Sequence, residues 1–177
     1  MVLLSFDIEE FDMPFEYGKQ IAFEEQLEIS VKGSHIILNL LKKHSFKATF
    51  FSTVVFAKNA PEIIARIKNE GHELASHGYY HSKFESAHLA SSKEALEELF
   101  GSKIFGFRMP RMMPVNEIEV ENAGYTYNSS INPTWLPGRY NNLHVSRTYF
   151  KLKSVLQLPA SVSPFLRIPL FLSLIHI

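Results

Sequence analysis

Cysteine is absent from the 177 residues. That rules out disulfides and thiolate chemistry and removes any need for an oxidising compartment. An excess of one charge is also missing. Eighteen basic and eighteen acidic side chains cancel, so no basic field exists to hold nucleic acid or an anionic membrane by charge alone. Long hydrophobic runs are scarce. The N-terminal apolar run stops at Phe6 and no Lys or Arg precedes Lys19, which fits neither a signal peptide nor a membrane anchor. A cytoplasmic location is the expectation that follows. Tryptophan occurs once, at position 135.

What the chain does contain is 46% hydrophobic and 20% charged residues, with 15 Phe and 7 Tyr. Those proportions are those of a soluble globular protein with material for one core. The expected organisation is one partial domain over residues 1–158 followed by an apolar tail, 159–177. The tail is broken by Pro159, Pro164 and Pro169. Its uninterrupted part after Pro169 is about half the length that spans a bilayer. Three readings of it stand open: a native segment packing on further residues, a translated artefact after about Arg167, or a truncated membrane-proximal segment.

Strand and helix patterns alternate along the chain. Val2–Phe6 reads as a buried strand entering an acidic patch, and Asp12–Gly18 as a loop. Leu27, Val31, Ile36, Ile37, Leu40 and Leu41 recur at helical spacing between about Glu24 and His44. Further strands are expected at Lys47–Ser52, His72–Ser76, Ile104–Phe107 and Tyr125–Asn128. Further helices are expected at 59–71, with Pro61 in the first turn and Gly71 at the end, at Ser91–Phe100, and at Pro114–Ala123. No tandem hairpin signal is visible. The alternation predicts a parallel sheet covered by helices, barrel or open, with its chemistry beyond the C-terminal strand ends. Asp7, Ser52, His77 and Arg108 all fall at such ends.

Two of those ends carry a metal-ligand pattern. In Glu73-Leu-Ala-Ser-His-Gly-Tyr-Tyr-His81 two histidines lie four apart, a spacing that puts both on one face of a helical turn. Asp7, Glu9, Glu10 and Asp12 crowd the end of the first strand, and such carboxylates repel one another unless a cation offsets them. Two imidazoles and one carboxylate with open positions form a catalytic divalent-metal site rather than a structural one. A hydroxyl of Ser82 or Tyr80 is a candidate to orient a ligand from behind. Arg108, in Phe107-Arg-Met-Pro-Arg111, is placed to pair a rim carboxylate. Arg111 faces solvent or substrate, and Trp135 either walls a sugar groove or packs conventionally. His35, His44, His72, His88 and His144 read as surface or hydrogen-bonded residues.

Taken together, these motifs resemble the polysaccharide deacetylases of the NodB-homology type, carbohydrate esterase family 4. Phe6-Asp-Ile-Glu9 is similar to the family's first motif in a D-x-E variant. Ala48-Thr-Phe-Phe51 is similar to its second strand, Gly71–His81 to its metal motif, Phe107-Arg-Met-Pro110 to its third motif, and Gly124–Ser130 to the next block. The resemblance implies an irregular (β/α) barrel, incomplete at the C-terminus of this chain. It implies Asp7 as general base, Arg108 as its partner, and Glu9, His77 and His81 as ligands of a divalent ion: zinc, or cobalt, manganese or nickel. Substrate contacts would come from Trp135, Tyr80 and Arg111, and the substrate would be an acetylated carbohydrate, hydrolysed at an N- or O-acetyl group. The kinship is with bacterial enzymes of carbohydrate metabolism.

Three departures stand out. Ile8 takes the place of the usual metal-binding Asp, so Glu9 must serve. Arg111 takes a place often aromatic. The late motif that supplies the family's general-acid histidine has no match in His144 or His176, so that group is expected beyond Ile177 and this chain alone is expected to turn over little. Two other functions fit the same residues: an amide hydrolase of this fold acting on a small cyclic amide or ureide, and a non-catalytic carbohydrate-binding relic. The oligomeric state is not legible.

Overall fold

Short apolar strands alternating with amphipathic helices can bury both element types only if successive strands pair in parallel and the helices cover them. The computed structural model describes residues 3–170 and has that layout. Strands β1 (Ser5–Ile8), β2 (Thr49–Ser52), β3 (Glu73–Ser76), β4 (Gly106–Phe107) and β5 (Tyr127–Asn128) lie side by side in chain order, all parallel. The sheet runs β1-β2-β3-β4-β5-β9-β8. Its far end is an antiparallel pair, β8 (Phe150–Leu152) and β9 (Val155–Gln157), with β9 parallel to β5. Strands that step in one direction wind as a barrel does. Among the described residues the sheet keeps two ends, at β1 and β8.

Between the strands run α1 (Met13–Glu16), α2 (Phe23–His44), α3 (Val54–Asn59), α4 (Pro61–Asn69), α5 (Ala87–Phe100) and α6 (Glu117–Asn122). Helix α2 ends on Ser45 in the left-handed conformation, and α5 ends on Gly101 in the same one. The core lies between sheet and helices. Ile63, Ile64 and Ile67 of α4, Leu38 of α2, and Leu89 and Leu96 of α5 meet Phe50, Leu74 and Phe107 of the strands. Each such side chain contributes about 1.5–3 kcal/mol on burial.

The other face of the sheet is mixed, with polar side chains among the apolar ones. Strand alternation puts Ser5 and Asp7 opposite to Phe6 and Ile8, and the register aligns Asp7 with Phe51 and Ala75. On this face Thr49 donates to Glu73 Oε2 at 2.6 Å, and the Tyr127 hydroxyl donates to Glu73 Oε1 at 2.9 Å. Tyr127 reaches that far because it crosses Gly106, where an added Cβ would sit 2.0 Å from the ring. We therefore expect Gly106→Ala to lower stability by about 1–3 kcal/mol, read as a lower denaturant midpoint. An unchanged midpoint would contradict the placement of Tyr127.

Several elements depart from the sequence expectation. The first strand lies at Ser5–Ile8, so Asp7 is inside it rather than beyond it. The expected start at Val2 lies outside the described residues. The loop at Asp12–Gly18 contains α1. A helix precedes Asn59: Thr53 caps α3 by accepting from the Phe56 amide at 3.1 Å, a start signal hidden in an apolar run. Two hairpins occur where none was expected, β8–β9 and a separate two-stranded sheet of β6 (Trp135–Leu136) and β7 (Tyr140–Asn141). Strands of two or three residues carry no readable period. Residues 159–170 run on from the sheet and bond to the loops after β5 and β7: Ala160 donates to the Ile131 carbonyl, and Arg167 to those of Pro133 and Val145. The end of the expected tail, with His176, lies outside the described residues. No helix among them is long and apolar enough to cross a membrane.

Candidate metal centre

Parallel strands share one C-terminal edge, so residues just past their ends converge there. Glu9 follows β1, His77 follows β3, and His81 lies four residues on. One ligand atom from each lies within 4.8 Å of the others. Past β3 the chain is not helical. Gly78 at φ +85 turns it, and His77 and His81 come together by this turn, rings stacked 5.8 Å apart, rather than by the expected helical spacing. Glycine meets that φ at no steric cost.

Both rings are held from behind. His77 Nδ1 lies 2.9 Å from the Arg108 carbonyl, and His81 Nδ1 lies 2.7 Å from Asp12 Oδ1. A carbonyl and a carboxylate only accept, so each Nδ1 carries the hydrogen, and in the neutral ring Nε2 presents its lone pair. These Nε2 atoms face Glu9, at 2.9 Å from Oε2 and 3.2 Å from Oε1. Glu9 Oε2 is buried with no hydrogen-bond partner. Three electron-pair donors turned on one point repel unless a cation lies among them, and two nitrogens with a carboxylate suit a divalent ion such as zinc. The groups that orient the rings are thus Asp12 and a backbone carbonyl, not the hydroxyls of Ser82 or Tyr80.

Protons compete for the same point. Burial disfavours a charged His77, but Asp7 and Glu9 outweigh it and raise its pKa above the ordinary histidine value. A metal ion must displace that proton. We expect affinity for the ion to fall as pH drops through the raised value, by about tenfold per pH unit for each proton displaced. Metal titrations at two pH values check this, and a flat response would contradict it.

Asp7 stands beside this cluster. Its Oδ1 accepts from Arg108 at 2.6 Å. Burial raises the Asp7 pKa, but Arg108, His77 and His81 together carry it below the usual carboxylate value. Arg108 is buried and also donates to Ser5 Oγ, Ser129 Oγ and the Ser129 carbonyl, and its guanidinium lies 4.0 Å over the Phe51 ring. Asn128 donates to Glu117 at 2.8 Å and accepts from the Ser130 amide. A carboxylate there would face that of Glu117.

The other expected site residues spread around the rim. Arg111 pairs with Asp12 at 3.1 Å and with Glu16 at 2.6 Å. Tyr80 is exposed and packs on Tyr79 and His88. Trp135 is exposed on β6. Of the histidines set aside, His72 is buried and accepts from the Ala48 amide, His35 contacts Arg66, and His88 accepts from the Glu85 amide.

Comparison with known proteins agrees with the geometry. The sequence model of the family described as polysaccharide deacetylase matches residues 21–128. A 45-residue stretch is 42% identical to the peptidoglycan-N-acetylmuramic acid deacetylase of Bacillus subtilis, covering 25% of this chain and 17% of that protein. A 78-residue stretch is 32% identical to a chitooligosaccharide deacetylase of Bradyrhizobium, covering 44% of this chain and 35% of that one. Among solved structures, a Mycobacterium smegmatis protein assigned to the polysaccharide deacetylases superposes with a TM-score of 0.71 at 25% identity, over 90% of this chain and 58% of its own. The chain thus spans less than two thirds of the length of each of these relatives.

Proposed function

Because the chain belongs to the polysaccharide deacetylase family, we propose that it hydrolyses acetyl groups from an N-acetylated amino-sugar chain, with zinc held by Glu9, His77 and His81. The observation that carries this is the convergence of two imidazole lone pairs on the Glu9 carboxylate, whose Oε2 is buried and unpartnered, with Asp7 alongside. The deacetylases matched act on peptidoglycan or chitooligosaccharides by name, and both present acetylated amino sugars.

An amide is a poor electrophile with a poor leaving group. A bound dication would polarise the acetyl carbonyl and acidify a water. The chain's own residues would move the protons: the one released as water adds to the carbonyl carbon goes to Asp7, and from there to the departing amine as the C–N bond breaks. Arg108 occupies Asp7 Oδ1, which leaves Oδ2 to take the water's proton. The same bond keeps the carboxylate ionised, so the base is ready at neutral pH. The two rings stay in place because the Arg108 carbonyl and the Asp12 carboxylate hold the far side of each imidazole. Tyr80 and Trp135 are exposed aromatic rings of the kind that stack on sugar faces, and we assign them to the substrate.

The test is acetate release from N-acetylated oligosaccharides by the full gene product containing this chain. Release should be lost in chelator and restored by zinc. Release indifferent to chelator would refute the metal's role. Turnover of small cyclic amides or ureides with none of oligosaccharides would refute the substrate class.

A further inference from the structure

Asp12 sits immediately before α1, where an aspartate ordinarily turns back to accept from the first helical N–H groups. It makes no such bond. Its carboxylate is 6% exposed and is engaged on both oxygens: Oδ1 by His81 Nδ1 at 2.7 Å, and Oδ2 by Arg111 at 3.1 Å. Arg111 reaches it from a backbone at φ 55, followed by Met112 at φ 52. That left-handed conformation is one that non-glycine residues rarely adopt, and it strains them. A second Arg111 nitrogen donates to Glu16 Oε1 at 2.6 Å, and Arg139 approaches Glu16 Oε2 at 3.5 Å. The β6–β7 hairpin, the turn after β4 and the loop after β1 are thus linked by charge up to the back of His81.

An uncapped helix start, a buried carboxylate and two strained residues make little sense as a surface ion pair, which contributes little to stability. They make sense if the position of one imidazole matters. We propose that Asp12, steadied by Arg111, is a positioning residue of the metal centre: it fixes His81 in the Nδ1–H tautomer so that Nε2 faces the ion. This assigns Arg111 to the clamp rather than to the substrate. The inference rests on the metal reading above.

The test is zinc titration of the 177-residue chain against a fluorescent chelator, with long-range 1H–15N spectra of the histidine rings in the metal-free protein at a pH where they are neutral. Asp12→Ala should weaken zinc binding by about 10- to 100-fold and turn His81 into a mixture of tautomers. Asp12→Asn keeps an acceptor for Nδ1–H and should recover most of the affinity, and Arg111→Gln should fall between. A purely structural role would instead lower the melting point of all three variants and leave folded-state affinity and tautomer alone. Wild-type affinity and an unchanged His81 tautomer in Asp12→Ala would overturn the proposal. Should Asp12→Ala fail to fold, the same two measurements on Asp12→Asn and Arg111→Gln decide it. If the wild-type chain binds no zinc, the metal reading fails, and the tautomer spectra still decide whether Asp12 positions the ring.

Discussion

Asp7→Asn should cut the rate of acetate release by about 10²- to 10⁴-fold, the span that a positioned general base contributes, while zinc still binds. The two readouts separate because Asp7 is not among the three converging donors. Asparagine keeps the shape and the acceptor oxygen facing Arg108, so the fold is expected to survive. What it loses is the basic oxygen that takes the proton. If Asp7→Asn retained wild-type kcat, the base would lie elsewhere. If it lost zinc as completely as a ligand variant, Asp7 would be a ligand rather than the base.

Arg108→Leu should be worse for the whole molecule. The guanidinium satisfies Asp7, Ser5 and Ser129 at once. Its loss leaves a carboxylate, two hydroxyls and a carbonyl without that donor. Breaking a buried pair costs about 3–5 kcal/mol, and we expect the low end because the Asp7 side chain is 34% exposed. Denaturant unfolding checks this. Activity should move with pH as well. With Arg108 present, the Asp7 pKa is depressed, so its ionised form, and the stability it contributes, persist down to acid pH and are lost only below the usual carboxylate value. Without Arg108, burial raises that pKa and protonation sets in at higher pH. The acid limb of kcat/KM should therefore shift upward in any folded Arg108 variant. A limb that stays in place would contradict the pairing.

The residues at strand ends were legible because parallel topology makes them neighbours whatever the loop lengths. Asp7, Glu9, His77, His81 and Arg108 come from three strand ends, and the parallel sheet brings them to one edge. Asp12 was visible only as one of four crowded carboxylates. Its role depends on a contact with a residue 69 positions away, and no spacing rule reaches across a loop of that kind. The clamp by Arg111 was hidden for another reason: a positive φ at arginine and methionine leaves no mark in sequence, since glycine is what a reader would look for there. The helical expectation for the two histidines failed on one residue. Gly78 lies between them at φ +85, and the bend there is sharp enough to end regular structure. The hairpins after Ile131 failed on length, since strands of two and three residues are held by their turns and by neighbours rather than by an apolar alternation.

Nearly everything functional here depends on one dication seated among Glu9, His77 and His81. Titration of the purified chain with zinc, followed by calorimetry or chelator competition, addresses that directly. The expected result is one site per chain, with affinity reduced at least about 100-fold in His77→Ala, beyond what loss of an outer partner costs. Absence of saturable binding, or equal affinity in wild type and His77→Ala, would contradict it.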